Sequence, residues 1–236
     1  MTEKENYVYQ VFQRIAGGYD RANCRISLGA HMQWKKTAVQ MLCQRLPTAP
    51  AILDIGCGTG DMLRLFAEQC PKAKLTGLDF SPNMLEVAAR TCREIPELTL
   101  LEGNAMALRL KDSCYDGASI SFALRNTENY EQVLREAFRI LKPGGSLVVI
   151  DSFVPQNRLI RPFYRAYFSA VMPVLGGGFR NRSEYLWLKE STDQFVTLDG
   201  LQTLMQYAGF QELQARRFLL GACACIVGTK PVEAAI

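Results

Sequence analysis

The segment LDIGCGTGD, residues 53–61, decides the fold of this chain. It follows a short β-rich apolar run at 51–55, and helical periodicity begins at residue 61. Glycine at Gly56, Gly58 and Gly60 lets the backbone and a ligand approach where a Cβ atom would collide. The segment therefore predicts a cofactor loop between the first strand and the first crossover helix of a parallel sheet.

The residue after this loop discriminates between cofactors. Dinucleotide-binding chains use G-x-G-x-x-G at the same place, whereas the position of the last glycine is Asp61 here. A carboxylate at a helix start disfavours a pyrophosphate but tolerates a ligand that carries an ammonium and a sulfonium. Asp54 and Asp61 therefore favour S-adenosylmethionine. The alternative is that Asp61 only caps the helix.

Two later segments supply further candidate cofactor contacts. Asp79, in GLDFSPNML at 77–85, ends the second strand, where an acid is placed to hold ribose hydroxyls. Asn104, in EGNAMAL at 102–108, is expected to meet the adenine. Alternatively, SPNML is only a helix start and Asn104 an ordinary turn residue. The predicted cofactor-binding residues are Tyr19, Asp54, Gly56, Gly58, Thr59, Gly60, Asp79, Phe80, Met84, Asn104, Ala105 and Ser121.

The order of apolar runs predicts an α/β fold, a Rossmann-like doubly wound sheet of seven strands. The sheet is expected to be mostly parallel, with an antiparallel C-terminal strand and helices at the N-terminus. The strands are expected near 51–55, 74–78, 98–102, 115–120, 146–151, 212–218 and 222–229, and the helices near 3–15, 32–46, 61–70, 82–94, 130–141, 157–172, 183–195 and 199–208. Asp199 is expected to open the last helix, Gly209 to cap its end, and 142–145 to turn the chain into a strand. Residues 1–236 form one domain, with 1–48 as a helical lid and 155–198 as a helical substrate insertion.

Composition excludes several classes of protein. The net charge of +4 is too small to indicate a nucleic-acid-binding protein, and one histidine excludes a histidine-based metal centre. The eight cysteines include no CxxC pair, which favours reduced core thiols. No signal peptide or membrane-length apolar window is present, so we expect a soluble cytoplasmic protein without a metal site.

Three segments carry a family resemblance that covers nearly the whole chain. They are YDRANCRISLGAHMQW at 19–34, SFALRNTEN at 121–129 and REAFRILKPGGSLVVID at 135–151. The chain resembles the ubiquinone and menaquinone biosynthesis C-methyltransferases, which are class I S-adenosylmethionine-dependent enzymes. Further similarity lies at 172–177, 185–195 and 208–210. Ala22, Arg109 and Trp187 depart from the usual family residues, and Trp187 bears on the choice of quinone precursor.

The resemblance implies methyl transfer to a ring carbon of a prenylated hydroquinone such as demethylmenaquinol. The ring hydroxyl must ionise, although a phenol has a pKa of about 10. Arg125 is the candidate that stabilises the phenolate, with Asn126 as its orienting partner. His31 is the candidate proton acceptor, with Asp61 or a water-mediated route through Arg125 as rivals, and a helix cap as the structural alternative. Tyr19 and Asp20 are expected to belong to a lid over the cofactor.

A basic and aromatic segment at 157–172 suggests where the prenyl tail enters. Arg158, Arg161 and Arg165 alternate with an apolar stripe that predicts either docking on an anionic membrane or packing on the core or a second subunit. The stripe comprises Ile160, Phe163, Tyr164, Tyr167, Phe168 and Val171. Three alternatives remain open: a benzoquinol acceptor of ubiquinone biosynthesis, an unrelated small-molecule acceptor, and a catalytically silent scaffold subunit.

Overall fold

A computed structural model describes residues 2–27, 29–166 and 189–232. Its centre is one sheet of seven strands in the order β3-β2-β1-β4-β5-β7-β6. The strands are β1 Ala51–Ile55, β2 Lys74–Asp79, β3 Leu98–Glu102, β4 Tyr115–Ser121, β5 Leu141–Ser152, β6 Gln211–Phe218 and β7 Cys223–Thr229. Only β7 runs antiparallel to its neighbours. The doubly wound, mostly parallel sheet predicted from the sequence is confirmed.

The helices flank this sheet and precede it. They are α1 Glu3–Ile15, α2 Tyr19–Ile26, α3 Ala30–Cys43, α4 Asp61–Gln69, α5 Pro82–Thr91, α6 Tyr130–Ile140, α7 Arg161–Ala166 and α8 Leu198–Tyr207. The helices predicted at 3–15 and 32–46 leave a loop between them, and this part of the prediction is wrong, because α2 fills most of that stretch. Residues 189–193 are also helical, while the predicted helices at 157–172 and 183–195 otherwise run into residues outside the described part.

Two apolar clusters hold the helices on opposite faces of the sheet. Leu53 and Ile120 belong to the cluster that includes α6 and α8, whereas Ile52 belongs to the cluster that includes α3 and α4. Neighbouring residues of β1 therefore point to opposite faces, and both are covered. This arrangement explains why the central strands are almost wholly apolar, and it leaves their carboxyl ends as the open edge.

Two local predictions are corrected and a third is confirmed. The turn expected at 142–145 lies within β5, where the register with β4 shifts after the Tyr115–Leu141 pair and Gly144 has a φ of 82°. Thr197, not Asp199, caps α8, since the Thr197 side chain accepts from the Gly200 N–H group at 3.1 Å. Gly209 follows α8 with a φ of 104°, as the C-cap prediction requires.

The stripe expected at 157–172 is not one buried face. Tyr164 is buried, whereas Phe163 is 77% exposed and lies on the solvent side with Arg158, Arg161 and Arg165. Tyr167, Phe168, Val171 and Trp187 lie outside the described residues. Within the described ranges, no helix is long and apolar enough to cross a bilayer.

Candidate functional site

A cavity of about 920 Å³ opens at the carboxyl ends of β1, β2 and β4. The glycine loop and the strand ends line its floor, and α1 lines its roof through Val8, Tyr9 and Phe12. Doubly wound sheets bind ligands at this edge, where neighbouring crossover connections leave in opposite directions. The volume lies within the range of small-molecule sites in proteins.

The glycine loop takes a conformation that ordinary residues rarely adopt. Gly56 has a φ of 73°, and a Cβ atom there would lie 2.6 Å from the Cβ atom of Ala123. Gly58 has a φ of 53°, but a Cβ atom there would meet nothing within 4 Å. The first glycine is therefore required by packing, whereas the second leaves an open space against the cavity. The loop leaves room for a ligand beside its backbone.

Asp54 is the buried carboxyl group of the cavity floor. Its Oδ1 accepts from the Ser119 hydroxyl at 2.6 Å, while its Oδ2 has no hydrogen-bond partner among the described residues. Burial raises the pKa of the Asp54 carboxyl to about 7, against the opposing effects of Ser119 and Lys35. An orphaned carboxylate oxygen that lines a cavity is suited to a cationic group of a ligand.

Asp79 joins the end of β2 to the glycine loop. Its Oδ2 accepts from the Gly58 N–H group at 2.8 Å, and its Oδ1 accepts from the Ser81 N–H group at 2.9 Å. Burial raises the pKa of Asp79, although the backbone N–H groups oppose the increase. The carboxylate is fixed and lines the cavity, where further lone pairs remain for ligand hydroxyls.

Polar groups also follow the third and fourth strands. The Asn104 Oδ1 accepts from the Met106 N–H group at 2.8 Å, and the Asn104 amide donates to Glu5 of α1 at 3.2 Å. The Ser121 hydroxyl is buried without a partner in the described ranges. Asn104, Ala105 and Ser121 all line the cavity, as do Phe80 and Met84. The structure therefore brings the residues predicted along the sheet edge to one cavity.

The N-terminal helices close the cavity from above. Tyr9 and Phe12 of α1 pack edge-on against Phe80, with ring centroids 5.8 and 6.2 Å away. Asp20 of α2 accepts from the Thr59 hydroxyl of the glycine loop at 2.6 Å. These contacts hold α1 and α2 against the cavity. Tyr19, the first residue of α2, therefore also lines a site that is formed mainly by the sheet.

A buried ion pair in this site was not predicted from the sequence. Lys35 of α3 is 6% exposed, lines the cavity and donates to Asp61 Oδ2 at 2.8 Å. Arg64 binds the other oxygen of Asp61. Burial disfavours the charge of Asp61, but the two cations hold its pKa below the usual range. Asp61 is therefore a weak base, which argues against its predicted role as proton acceptor.

His31 is close enough to this ion pair to feel its charges, but it is not among the residues that line the cavity. It sits in the first turn of α3, and its Nδ1 shares a 2.7 Å hydrogen bond with the Ser27 hydroxyl. Burial and the charge of Lys35 lower the pKa of His31, so the ring is neutral at pH 7. The helix begins after Gly29, so His31 is not its N-cap.

The Arg125-Asn126 pair lies in a 3-10 turn, Leu124–Asn126, just beyond β4. Asn126 lines the cavity, and its Oδ1 has no partner among the described residues. Arg125 is 4% exposed, does not line the cavity and forms a buried ion pair with Asp151 of β5. The structure therefore places Asn126, not the Arg125 guanidinium, at the cavity wall. Asp151 ends the 135–151 segment of the family resemblance, but the sequence did not indicate its pairing with Arg125, which is 26 residues away.

The residues that line the cavity fit S-adenosylmethionine. Asp54 offers an anion to its cationic end, Gly58 leaves space beside the loop, and Asp79 offers acceptors to hydroxyls. No group of three or more potential metal-ligating side chains occurs within the described ranges.

Comparison with known proteins agrees with this geometry. Residues 1–230 match the model of the ubiE/COQ5 methyltransferase family. The chain is 40% identical to the demethylmenaquinone methyltransferase of Listeria welshimeri, covering 99% of this chain and all of the relative. It is 39% identical to the enzyme of that name from Lactiplantibacillus plantarum, over 96% of this chain and 97% of the relative. A crystal structure of an S-adenosylmethionine-dependent methyltransferase from Thermotoga maritima superimposes with a TM-score of 0.67 at 25% identity, covering 94% of this chain and 99% of that one.

Proposed function

Because the chain belongs to the ubiE/COQ5 methyltransferase family and is an S-adenosylmethionine-dependent methyltransferase, we propose that it methylates the ring of demethylmenaquinol. The choice of this acceptor rests on the similarity, over nearly the full length of the chain, to relatives named demethylmenaquinone methyltransferase. Retention of the cavity carboxylates argues against a silent scaffold subunit, which has no need of a loaded cofactor site.

The methyl donor supplies an electrophilic methyl group when it is bound. Asp79 is proposed to hold the ribose hydroxyls, Asn104 and Ala105 the adenine, and Asp54 the cationic methionyl end. The glycine loop and Thr59 provide the close backbone approach. Residues 1–48 remain the proposed helical lid, in which α1 and α2 cover the cavity through Phe80 and Thr59 while α3 packs on the sheet. In this proposal the lid and the sheet form one domain, and residues 155–198 are the insertion that binds the acceptor.

Asn126 is proposed to orient the ring oxygen of the acceptor, since its unpaired Oδ1 is at the cavity wall. Arg125 is then a positioning residue, because its ion pair with Asp151 holds the turn that carries Asn126. This role replaces the direct contact with the phenolate that the sequence predicted. His31 remains the proposed proton acceptor, through water, because its lowered pKa keeps the ring neutral at pH 7.

The decisive experiment is a turnover assay with labelled S-adenosylmethionine and two acceptors. Demethylmenaquinol is expected to receive the label faster than 2-methoxy-6-polyprenyl-1,4-benzoquinol, the acceptor of ubiquinone biosynthesis. Equal rates with the two rings would extend the proposal to both pathways. Transfer to neither ring would overturn it and would favour a different small-molecule acceptor.

Peripheral contact with a membrane is proposed for the segment around α7. Leu159 and Phe163 are 80% and 77% exposed, and Arg158, Arg161 and Arg165 are exposed beside them. Exposed apolar side chains within a basic cluster favour an anionic lipid surface, although the same patch would also suit a homodimer. A triple alanine variant of the arginines should lose binding to anionic liposomes and keep its affinity for neutral ones. Unchanged binding, with a dimer in sedimentation analysis, would favour the homodimer.

A further inference from the structure

Lys35 carries a buried positive charge whose role the sequence did not suggest. It is 6% exposed, and burial of an ammonium group is costly unless anions surround it. Within the described part of the chain, its hydrogen-bond partner is Asp61, at 2.8 Å. A lysine ammonium has three donors, so this bond leaves two, and the Nζ atom also lies over the Phe122 ring, 5.8 Å from its centroid. Because Lys35 lines the cavity, a ligand can reach them.

Lys35 does not have a carboxylate partner to itself. Asp61 is shared between Lys35 and Arg64, so one carboxylate faces two cations. The positive charge of Lys35 also acts on His31, because it adds to the effect of burial in lowering the pKa of that ring. The ammonium of Lys35 is therefore still suited to an anionic group of a ligand.

The opposite charge lies close by. Asp54 has an oxygen without a partner in the described residues, and the charge of Lys35 opposes the raised pKa of this carboxyl. The cavity thus presents a carboxyl group and an ammonium group beside the glycine loop, with Asp61 beginning α4 directly after that loop. A ligand that carries an ammonium and a carboxylate on one carbon would satisfy both.

We propose that Lys35 binds the carboxylate of the methionyl group of S-adenosylmethionine, opposite Asp54. The inference rests on the cofactor and does not depend on the identity of the acceptor. The competing role for Lys35 is to stabilise an ionised ring oxygen of the acceptor, and the two roles differ in which ligand loses affinity.

The test measures the binding of two cofactor fragments by calorimetry. S-adenosylhomocysteine retains the carboxylate, whereas 5′-methylthioadenosine lacks the amino-acid end. Lys35→Met should weaken S-adenosylhomocysteine by roughly 10- to 100-fold, the usual effect of losing a charge-assisted hydrogen bond, and change methylthioadenosine less than about threefold. Lys36→Met removes the neighbouring exposed lysine and should change neither ligand. Lys35→Arg, which keeps the charge, should restore most of the affinity.

The other outcomes would give Lys35 a different role. Equal weakening of both ligands would overturn the proposal and leave Lys35 a structural role. Unchanged affinity for both ligands, with slower turnover, would place Lys35 at the acceptor. Asp61→Asn provides a second variant in case Lys35→Met does not fold. Removal of the competing anion should leave S-adenosylhomocysteine bound as tightly or more tightly, and a tenfold loss would contradict the proposal.

Discussion

Protonation of Asp54 is expected to control the affinity for the cofactor. The side chain is fully buried and burial raises its pKa to about 7, so the carboxyl titrates within the working range of many enzymes. The ionised form attracts the ammonium of the methionyl group, whereas the protonated form does not. A bound ammonium lowers the pKa of Asp54, so binding releases a proton and affinity rises with pH up to about 7.

The magnitude follows from the titration. With a pKa of about 7, roughly 9% of Asp54 is ionised at pH 6 and roughly 91% at pH 8. If only the ionised form binds well, the dissociation constant of S-adenosylhomocysteine is about tenfold larger at pH 6 than at pH 8. The slope should flatten above pH 7 and disappear above about pH 8, where the carboxylate is almost fully formed.

Calorimetry at pH 6, 7 and 8 in buffers of different ionisation enthalpy measures both the affinity and the released proton. Methylthioadenosine, which lacks the ammonium, is the matched ligand control and should bind with little dependence on pH. Asp54→Asn should bind S-adenosylhomocysteine weakly at every pH. The reasoning fails if the wild-type profile is flat, or if Asp54→Asn retains the same slope.

Three further predictions concern stability and turnover. Because folding raises the pKa of Asp54 from its usual value of about 4 to about 7, stability falls as the pH rises through this window, and the loss is complete above pH 7. Asp54→Asn should therefore raise the free energy of unfolding of the ligand-free protein, measured by urea unfolding, by up to about 4 kcal/mol at pH 8 and by less at pH 5; an equal gain at both would contradict this. Asp151→Asn leaves the Arg125 guanidinium buried without its counter-ion and should cost about 3–5 kcal/mol in urea unfolding, whereas a loss below 1 kcal/mol would show that the pair is solvated. At Gly56, φ is 73° and an added Cβ atom would lie 2.6 Å from that of Ala123. Gly56→Ala should therefore lower the free energy of unfolding by more than Gly58→Ala does, and it should also lower the affinity for the cofactor.

The sheet and its cofactor edge could be predicted because their signals are local. Gly56 and Gly58 follow one apolar run, and Asp79 ends the next, so spacing alone assigns them to strand ends. Parallel strands joined by helices bring those ends to one edge of the sheet. The positions of Asn104 and Ser121 in the cavity follow from the same rule. These contacts required no knowledge of how distant helices pack.

The remaining features depend on contacts between distant segments. Lys35 and Asp61 are 26 residues apart, and their pairing depends on how α3 packs beside α4. A lysine in an amphipathic helix normally indicates a solvated face, so its sequence pattern predicts exposure. For Arg125 the error is the opposite one. Its position at a strand end predicted a contact with the ligand, but its side chain is buried in an ion pair with Asp151 on the adjacent strand.

The Lys35–Asp61 and Arg125–Asp151 ion pairs have different roles in the site. Lys35 faces the cavity and shares its carboxylate partner Asp61 with Arg64, whereas Arg125 is matched by Asp151 and does not line the cavity. A cation that shares its anion can bind a further anion on a ligand, while a matched buried pair fixes the geometry of the turn that presents Asn126. Charge balance around each residue, more than residue type, therefore distinguishes the group expected to bind ligand from the group expected to position it.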